Sequence, residues 1–275
     1  MFHTGSNMSP ELQALQAMLV TAAQEELLPR FAKVIHSHKA DGSVVTEADI
    51  AMQRRVSDQL TAGWPEYVFL GEELPATEQI RRLNAPEQGL WCLDPLDGTG
   101  NFVAGLPYFC TSLALLINRE ARLALVYDPV RDECFTAESR KGAWLNGERL
   151  GEHGDQTPLR ESMGLIDFKR LTADLAARLI ASPPYRSQRS FGASALDWCW
   201  LAAGRCHVYL HGHHMLWDYA AGSLILQEAG GQALTLAGEP VFRPSLEPRS
   251  VAAALGEDTF REWLSWLNIR QPSTR

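Results

Sequence analysis

The chain has 275 residues, 45% of them hydrophobic, with a formal net charge of -8. That length and composition suit one large or two closely packed domains with a real core. The acidic balance, without a Lys/Arg cluster, argues against nucleic acid or an anionic membrane surface as partner, and the longest apolar runs, such as Thr111 to Ile117, fall far short of the ~20 residues of a membrane span.

Met1 to Pro10 has no basic segment followed by an apolar stretch, so no secretory signal is read there. From Pro10 to Val34 the residues Leu12, Leu15, Leu19, Ala22 and Ala23 recur at helical spacing, with Pro10 where a first turn tolerates it. A second helix is expected over about Glu47 to Ala62, with Thr46 as N-cap and Asp49 in its first turn. The strand-like run Tyr67 to Leu70 leads into Gly71-Glu72-Glu73, and Leu90 to Leu93 leads into Asp94-Pro95-Leu96-Asp97-Gly98-Thr99-Gly100. Both acidic groups therefore follow an apolar strand. Strands are expected over Thr111 to Ile117, Leu123 to Tyr127 and Glu133 to Ala137, the first two joined by a hairpin at Asn118 to Ala121. The first half reads as antiparallel sheet with helices on one side.

The polar region Glu148 to Glu161 is the expected boundary, giving an N-terminal half, 1–150, and a C-terminal half, 151–275. Beyond it come a helix near Ala173 to Ile180, a turn at Pro183-Pro184, a helix over about Ala193 to Ala203 and a strand over Cys206 to Leu210. An apolar helix over Tyr219 to Ala229 follows, with Asp218 suited to N-cap it and Gly230-Gly231 to close it. Cys92, Cys110, Cys134, Cys199 and Cys206 are scattered and odd in number, which predicts buried free thiols in a reducing cytoplasm.

The chemistry concentrates at Asp94-Pro95-Leu96-Asp97. Two carboxylates that close repel, and a hard cation beside them is the usual way to keep both ionised. With no Cys or His interleaved, Mg²⁺ or Mn²⁺ suits them better than Zn²⁺. Gly98-Thr99-Gly100 leaves backbone N–H groups open to an anion, and Thr99 adds a hydroxyl able to position a water. Each feature has a plainer reading beside it: a β-turn at Asp97-Gly98, helix capping for Asp218, and a first-turn acid for Asp49.

Asp94-Pro95-Leu96-Asp97-Gly98-Thr99 with Asn101-Phe102 resembles the first signature of the inositol monophosphatase family. Trp217-Asp218-Tyr219-Ala220-Ala221-Gly222 with Glu228-Ala229-Gly230-Gly231 resembles the second. Gly71-Glu72-Glu73, Val45 to Asp49, and Lys141-Gly142-Ala143 with Asn146-Gly147 match in the same order, so the resemblance covers nearly the whole chain. It implies a layered α-β-α-β-α sandwich of the sugar-phosphatase type, mixed α+β and α/β in class, and a cytoplasmic homodimer. The implied activity is lithium-sensitive, magnesium-dependent hydrolysis of a small phosphate monoester resembling inositol phosphate. Glu72, Asp94, the Leu96 carbonyl, Asp97 and Asp218 would surround two Mg²⁺ ions, with Mn²⁺ able to substitute, and Asp49 would reach a third. Glu72 and Thr99 would orient the attacking water, and the Gly98 and Thr99 N–H groups would hold the phosphate.

Phe191-Gly192-Ala193-Ser194-Ala195 resembles the family's substrate-facing segment, although a helix N-terminus explains it equally well. Seven residues before Asp218, where inositol-cleaving members place a glutamate, this chain has His211. Imidazole can donate or accept, which suits a substrate with another negative group, or a different one. His211, His213 and His214 lack the matching partners of a zinc site and read as a loop at the mouth of the site. Histidinol-phosphate phosphatase and 3'-phosphoadenosine phosphate phosphatase are rival activities within the family. A regulatory binding protein that keeps the fold is the rival from outside enzymology.

Overall fold

The computed structural model describes residues 8–34, 36–38, 44–85, 89–151 and 157–270. Helix α1 (Pro10–Glu26) starts at Ser9, whose hydroxyl accepts the Leu12 N–H at 3.3 Å, and it buries the expected stripe Leu12, Leu15, Leu19, Ala22 and Ala23 completely. It is shorter than the periodicity suggested. Pro29 lacks an N–H and its ring crowds the preceding turn, so the chain tightens into a single 3₁₀ turn, Leu28–Arg30. Strands β1 (His36–His38) and β2 (Val44–Thr46) form a small antiparallel pair ahead of α2 (Glu47–Gly63).

A seven-stranded sheet follows, built in order from β3 (Val68–Gly71), β4 (Leu90–Asp97), β5 (Cys110–Ile117), β6 (Glu120–Asp128), β7 (Glu133–Glu138), β8 (Gly142–Leu145) and β9 (Glu148–Arg149). All its neighbours are antiparallel except β3 and β4, whose parallel pairing uses α3 (Ala76–Leu83) as crossover. The short helix α4 (Thr99–Ala104) joins β4 to β5. The β5–β6 hairpin turns at Asn118 and Arg119, both at positive φ (53° and 63°), a backbone that matches the strands' own twist.

The second sheet contains β10 (Met163–Ile166), β11 (Ser187–Arg189), β12 (Val208–His214), β13 (Gln232–Leu234) and β14 (Arg249–Ala254). Its order is β11-β10-β12-β14-β13, with β10 parallel to β11 and β12. Around it lie α5 (Ala173–Ala181), α6 (Ser194–Ala202), α7 (Leu216–Glu228) and α8 (Glu257–Leu267).

Period-2 alternation sorts these elements into layers. On the first sheet Trp91, Leu93, Leu113, Leu115, Leu123 and Leu125 face α1 and α2, while Leu90, Cys92, Ala114, Leu116, Ala124 and Val126 face the opposite way. That second face shares one core with α6, α7 and the Leu165, Tyr209, Val251 and Ala253 face of the second sheet. Ile166, Val208, Leu210, Ala252 and Ala254 then point outward to α5 and α8. The result is the expected α-β-α-β-α sandwich. Helix α7 lies between two sheets, which is why it is apolar nearly all round.

Helix α7 ends where expected: the Gly231 N–H donates to the Leu226 carbonyl and the Gly230 N–H to that of Gln227, with Gly230 at φ 91°. It begins earlier than expected, at Leu216, because Met215 occupies the N-cap. All five cysteines are free and buried. Residues 1–7 and 152–156, the latter inside the expected boundary region, lie outside the described residues.

The inner layers carry the stability. Leu15→Ala, at a site with 0% exposure, should cost about 2–5 kcal/mol. Ile180→Ala, on the outer helix at 72% exposure, should stay within about 0.5 kcal/mol. Urea midpoints of the two variants check this.

Candidate active site

Strand β4 brings Asp94 and Asp97 to the junction of the layers. Its pairing with β5 slips between them, Asp94 facing Ser112 and Asp97 facing Cys110, so the β4 side gains one residue and bulges. Pro95 sits in that bulge, where no N–H is required, and its carbonyl accepts the Thr111 hydroxyl at 2.9 Å. Asp94 turns back to accept the Leu96 N–H at 3.0 Å and is 2% exposed. At Gly98, φ is +89° and a Cβ would sit 3.0 Å from both the Ala193 Cβ and the Tyr108 carbonyl, so only glycine fits. The chain then enters α4, whose opening N–H groups lack intrahelical partners.

The other acids arrive by separate routes. Glu72 follows β3, and its N–H donates to the Leu93 carbonyl at 3.1 Å, beside Asp94. The Asp97 carboxylate reaches α6 and accepts the Ala195 N–H at 2.6 Å, with the Ser194 hydroxyl at 3.4 Å. Ser194 therefore does open a helix, and it does so against Asp97. Gly192 turns the preceding loop at φ 85°, and Asn101 donates to the Phe191 and Tyr108 carbonyls, both at 2.7 Å, tying that loop to α4. Ser112 donates to the Trp217 carbonyl at 3.1 Å and so anchors the start of α7 against β5.

Asp218 is not the N-cap expected of it. It lies in the first turn, three residues past Met215, whose N–H its carboxylate accepts at 2.8 Å. The negative end of a side chain against a helix N-terminus is favourable from either position.

Electrostatics ties these groups together. Burial pushes Asp94 well above the usual carboxylate range, and the charges of Glu72, Asp97 and Asp218 push it further. Burial, then Asp97 and Glu72, do the same to Asp218, opposed by its bond from Met215 and by the charge of Arg170. Asp97 is raised by burial to about 6, restrained by the Ala195 and Ser194 N–H groups. Asp94, Asp97 and Asp218 form no ion pair with a described residue. Among the described residues, no three His, Cys, Asp or Glu side chains already close around one point. The acids thus define a strongly negative neighbourhood rather than a finished coordination shell. An all-oxygen donor set of this kind fits a hard divalent cation.

Asp49 and Thr99 meet beside this cluster. One oxygen of Asp49 accepts the Thr46 N–H (2.8 Å) and hydroxyl (2.6 Å), which is a capping box for α2. The other accepts the Thr99 hydroxyl at 3.1 Å, and that hydroxyl also lies 2.9 Å from the Leu96 carbonyl. The first-turn role of Asp49 is therefore present, and its carboxylate is engaged on both sides at 1% exposure.

His211, His213 and His214 lie on strand β12, not in a loop, with a register slip between His211 and His214. The strand continues past Leu210 because β14 supplies its partner, a strand that hydrophobic patterning did not reveal. His211 is buried, stacks on His214 at 3.9 Å, and uses both ring nitrogens inside the protein. Its Nε2 lies 3.2 Å from Asp167, and its Nδ1 accepts the His213 N–H at 3.2 Å. Burial lowers the His211 pKa against the pull of Asp167; burial works to raise Asp167, but the bond and charge of His211 hold it below the usual range.

Three residues near the acids escaped the sequence reading. Asp167 and Arg170 follow β10 at the carboxyl end of a parallel strand pair, where open sheets place ligands. Asp197 is a lone acid in an apolar helix, held by the Tyr108 hydroxyl at 2.7 Å and kept well above the usual range by burial. Strand direction would have pointed to the first two, and the isolated charge to the third.

The model of the inositol monophosphatase family matches residues 8–265, and the chain belongs to that family. It is similar to Inositol monophosphatase 1 of Solanum lycopersicum, 36% identical over 200 residues that cover 70% of this chain and 72% of the relative. Among solved structures it is similar to an IMPase of Thermotoga maritima, with TM-score 0.81, 28% identity and coverage of 94% of this chain and 97% of that one. It is also similar to a staphylococcal IMPase-II bound to inositol monophosphate, with TM-score 0.75, 25% identity and 92% coverage of each chain.

The raised pKa values fix the sign of a pH effect. Carboxylates whose folded pKa lies above the unfolded value stabilise fully below about 4 and lose that contribution as pH rises, through about 6 for Asp97 and higher for Asp94 and Asp218. In EDTA-treated protein, Asp94→Asn should therefore raise the melting temperature at pH 8 by about 2–4 °C for each kcal/mol recovered. The gain should vanish toward pH 4. Calorimetric scans of both proteins across that range check it.

Proposed function

We propose that the protein is a metal-dependent hydrolase of a small phosphate monoester, using Mg²⁺ in a two-ion site. The observation that carries this reading is the convergence of Glu72, Asp94, Asp97 and Asp218, brought by three different segments, beside the glycine-bounded turn at Gly98. Family membership supports it from a separate direction. Asp94, Asp97, Asp218, Glu72 and the Leu96 carbonyl would hold the ions. Bound Mg²⁺ supplies the positive charge that activates water and stabilises the leaving oxygen.

The chain's own groups do the rest in this reading. The N–H groups of Gly98 and Thr99 hold the phosphate, at the start of a helix that favours negative charge. Thr99 directs its proton inward to Leu96 and Asp49, so its oxygen is left to accept a hydrogen bond from the attacking water. Glu72 orients that water from the opposite segment. Asp49 is then a positioning residue that acts through Thr99, which accounts for its full engagement better than a third ion does.

An inositol phosphate is the first substrate to test, given the ligand held by the staphylococcal relative. A homodimer follows from likeness to the family, and a cytoplasmic location from the five unpaired thiols. No helix among the described residues is long and apolar enough to cross a membrane.

Phosphate release from a panel of inositol, histidinol, sugar and nucleotide phosphates, with Mg²⁺ or with EDTA, tests the proposal. Turnover should require Mg²⁺, and Asp94→Asn should lower it by more than about 100-fold, beyond the effect typical of residues that merely orient ligands, while the circular dichroism spectrum stays unchanged. Near-normal turnover of that variant, or of wild type in EDTA, would remove the proposed site.

A further inference from the structure

Asp197 is a buried acid that the acid cluster does not use. It sits one turn into α6, 6% exposed, in a helix whose other residues are apolar apart from Ser194. Among the described residues its carboxylate accepts a single hydrogen bond, from the Tyr108 hydroxyl at 2.7 Å. Burying a carboxyl group with one hydrogen bond costs stability that an apolar residue of similar size would not. Stability therefore does not account for Asp197, and its partner is the place to look.

Tyr108 lies in the connection between α4 and β5, and it meets the site through its main chain. Its carbonyl accepts the side-chain amide of Asn101 in α4 at 2.7 Å. The same carbonyl would lie 3.0 Å from a Cβ at Gly98, and the Ala193 Cβ, at the N-cap of α6, would lie 3.0 Å from it as well. The Gly98 turn is thus gripped between the Tyr108 peptide and the start of α6. The Tyr108 ring is packed against Phe191 and Trp200, with centroids 4.7 and 5.0 Å apart. Ring contacts tolerate a range of offsets, whereas a hydrogen bond has a narrow distance and angle. The bond to Asp197 is what fixes the ring along its own axis, and with it the peptide under Gly98.

Helix α6 also holds Asp97, through the Ala195 N–H at 2.6 Å, two residues before Asp197. The two bonds cross one joint in opposite directions. An acid of β4 reaches the start of α6, and an acid of α6 reaches back to the segment before β5. Resting on the phosphatase reading above, we propose that Asp197, acting through the Tyr108 hydroxyl, is a positioning residue that fixes the Gly98–Thr99 turn for its phosphate. Helix α6 then sets both Asp97 and the phosphate-holding N–H groups from one rigid element. Neither Asp197 nor Tyr108 touches the substrate, so the effect falls on the phosphate group and not on the alcohol it leaves.

Inorganic phosphate, the part common to all such esters and their product, is the probe, titrated calorimetrically into Mg²⁺-loaded protein. Tyr108→Phe keeps the ring and removes the hydroxyl; it and Asp197→Ala should each weaken the phosphate Kd by about 3- to 10-fold, the range of one hydrogen bond. Asp197→Asn, whose amide oxygen can still accept the hydroxyl, should stay near wild type. The double variant Tyr108→Phe, Asp197→Ala should bind no more weakly than the weaker single, since both remove the same bond. In turnover, KM for glycerol phosphate and for an inositol monophosphate should rise by the same factor, with kcat changed less. If wild type hydrolyses no ester but phosphate affinity follows this pattern, the hydrolase reading fails and this one stands. If esters are hydrolysed while Tyr108→Phe and Asp197→Ala lower only the melting temperature and leave Kd and KM where they were, the pair is merely structural and the proposal is wrong.

Discussion

Like charges held close together under burial are the constraint around which this structure is arranged. Asp94 is buried and Asp97 and Asp218 are partly buried at the point where the layers meet, and each is made harder to ionise by a neighbouring acid. A protein with only stability to satisfy would replace them with apolar residues of similar size. The fold instead surrounds them with compensations too weak to neutralise them: one N–H for Asp94, the start of α6 for Asp97, the start of α7 for Asp218. The residual negative potential is what a divalent cation would answer.

Each compensation depends on layer geometry rather than on local sequence. Asp97 reaches the N–H groups of α6 only because the middle helices pack against the face of the first sheet that carries Cys92, Ala114 and Val126. Asp218 stays near Asp94 because Ser112, the β5 partner of Asp94, also holds the Trp217 carbonyl. The bulge at Pro95 lets one strand aim two carboxylates at the same neighbourhood, since regular pleating would send residues three apart to opposite faces. The same sheet that buries the apolar residues of the core therefore fixes the acids.

Much of this was legible in the sequence, and the reasons for success and failure are physical. Period-2 runs with clear turns located the first sheet, and the stripe Leu12 to Ala23 located α1, because exposure on one side imposes a pattern. Patterning fails where both sides are buried. Strand β14, covered by helices on one face and the middle layer on the other, reads as a featureless Ser-Val-Ala-Ala-Ala run, and missing it left His211 to His214 looking like a loop. Asp218 was placed one cap too late because Met215 carries no capping signature; the cap is made by the acid three residues on. Pro29 ends α1 early although the apolar spacing ahead of it suggests a longer helix.

Position 211 shows how a buried imidazole holds a neighbouring turn through both of its ring nitrogens. An imidazole there cannot simply stand in for a carboxylate, because neutral histidine has one donor and one acceptor, and here the strand's own bulge takes the acceptor while Asp167 takes the donor. Burial lowers the ring's pKa, against the pull of Asp167. The ring's effect is mechanical: it fixes Asp167, and Asp167 fixes the turn that carries Lys169 and Arg170.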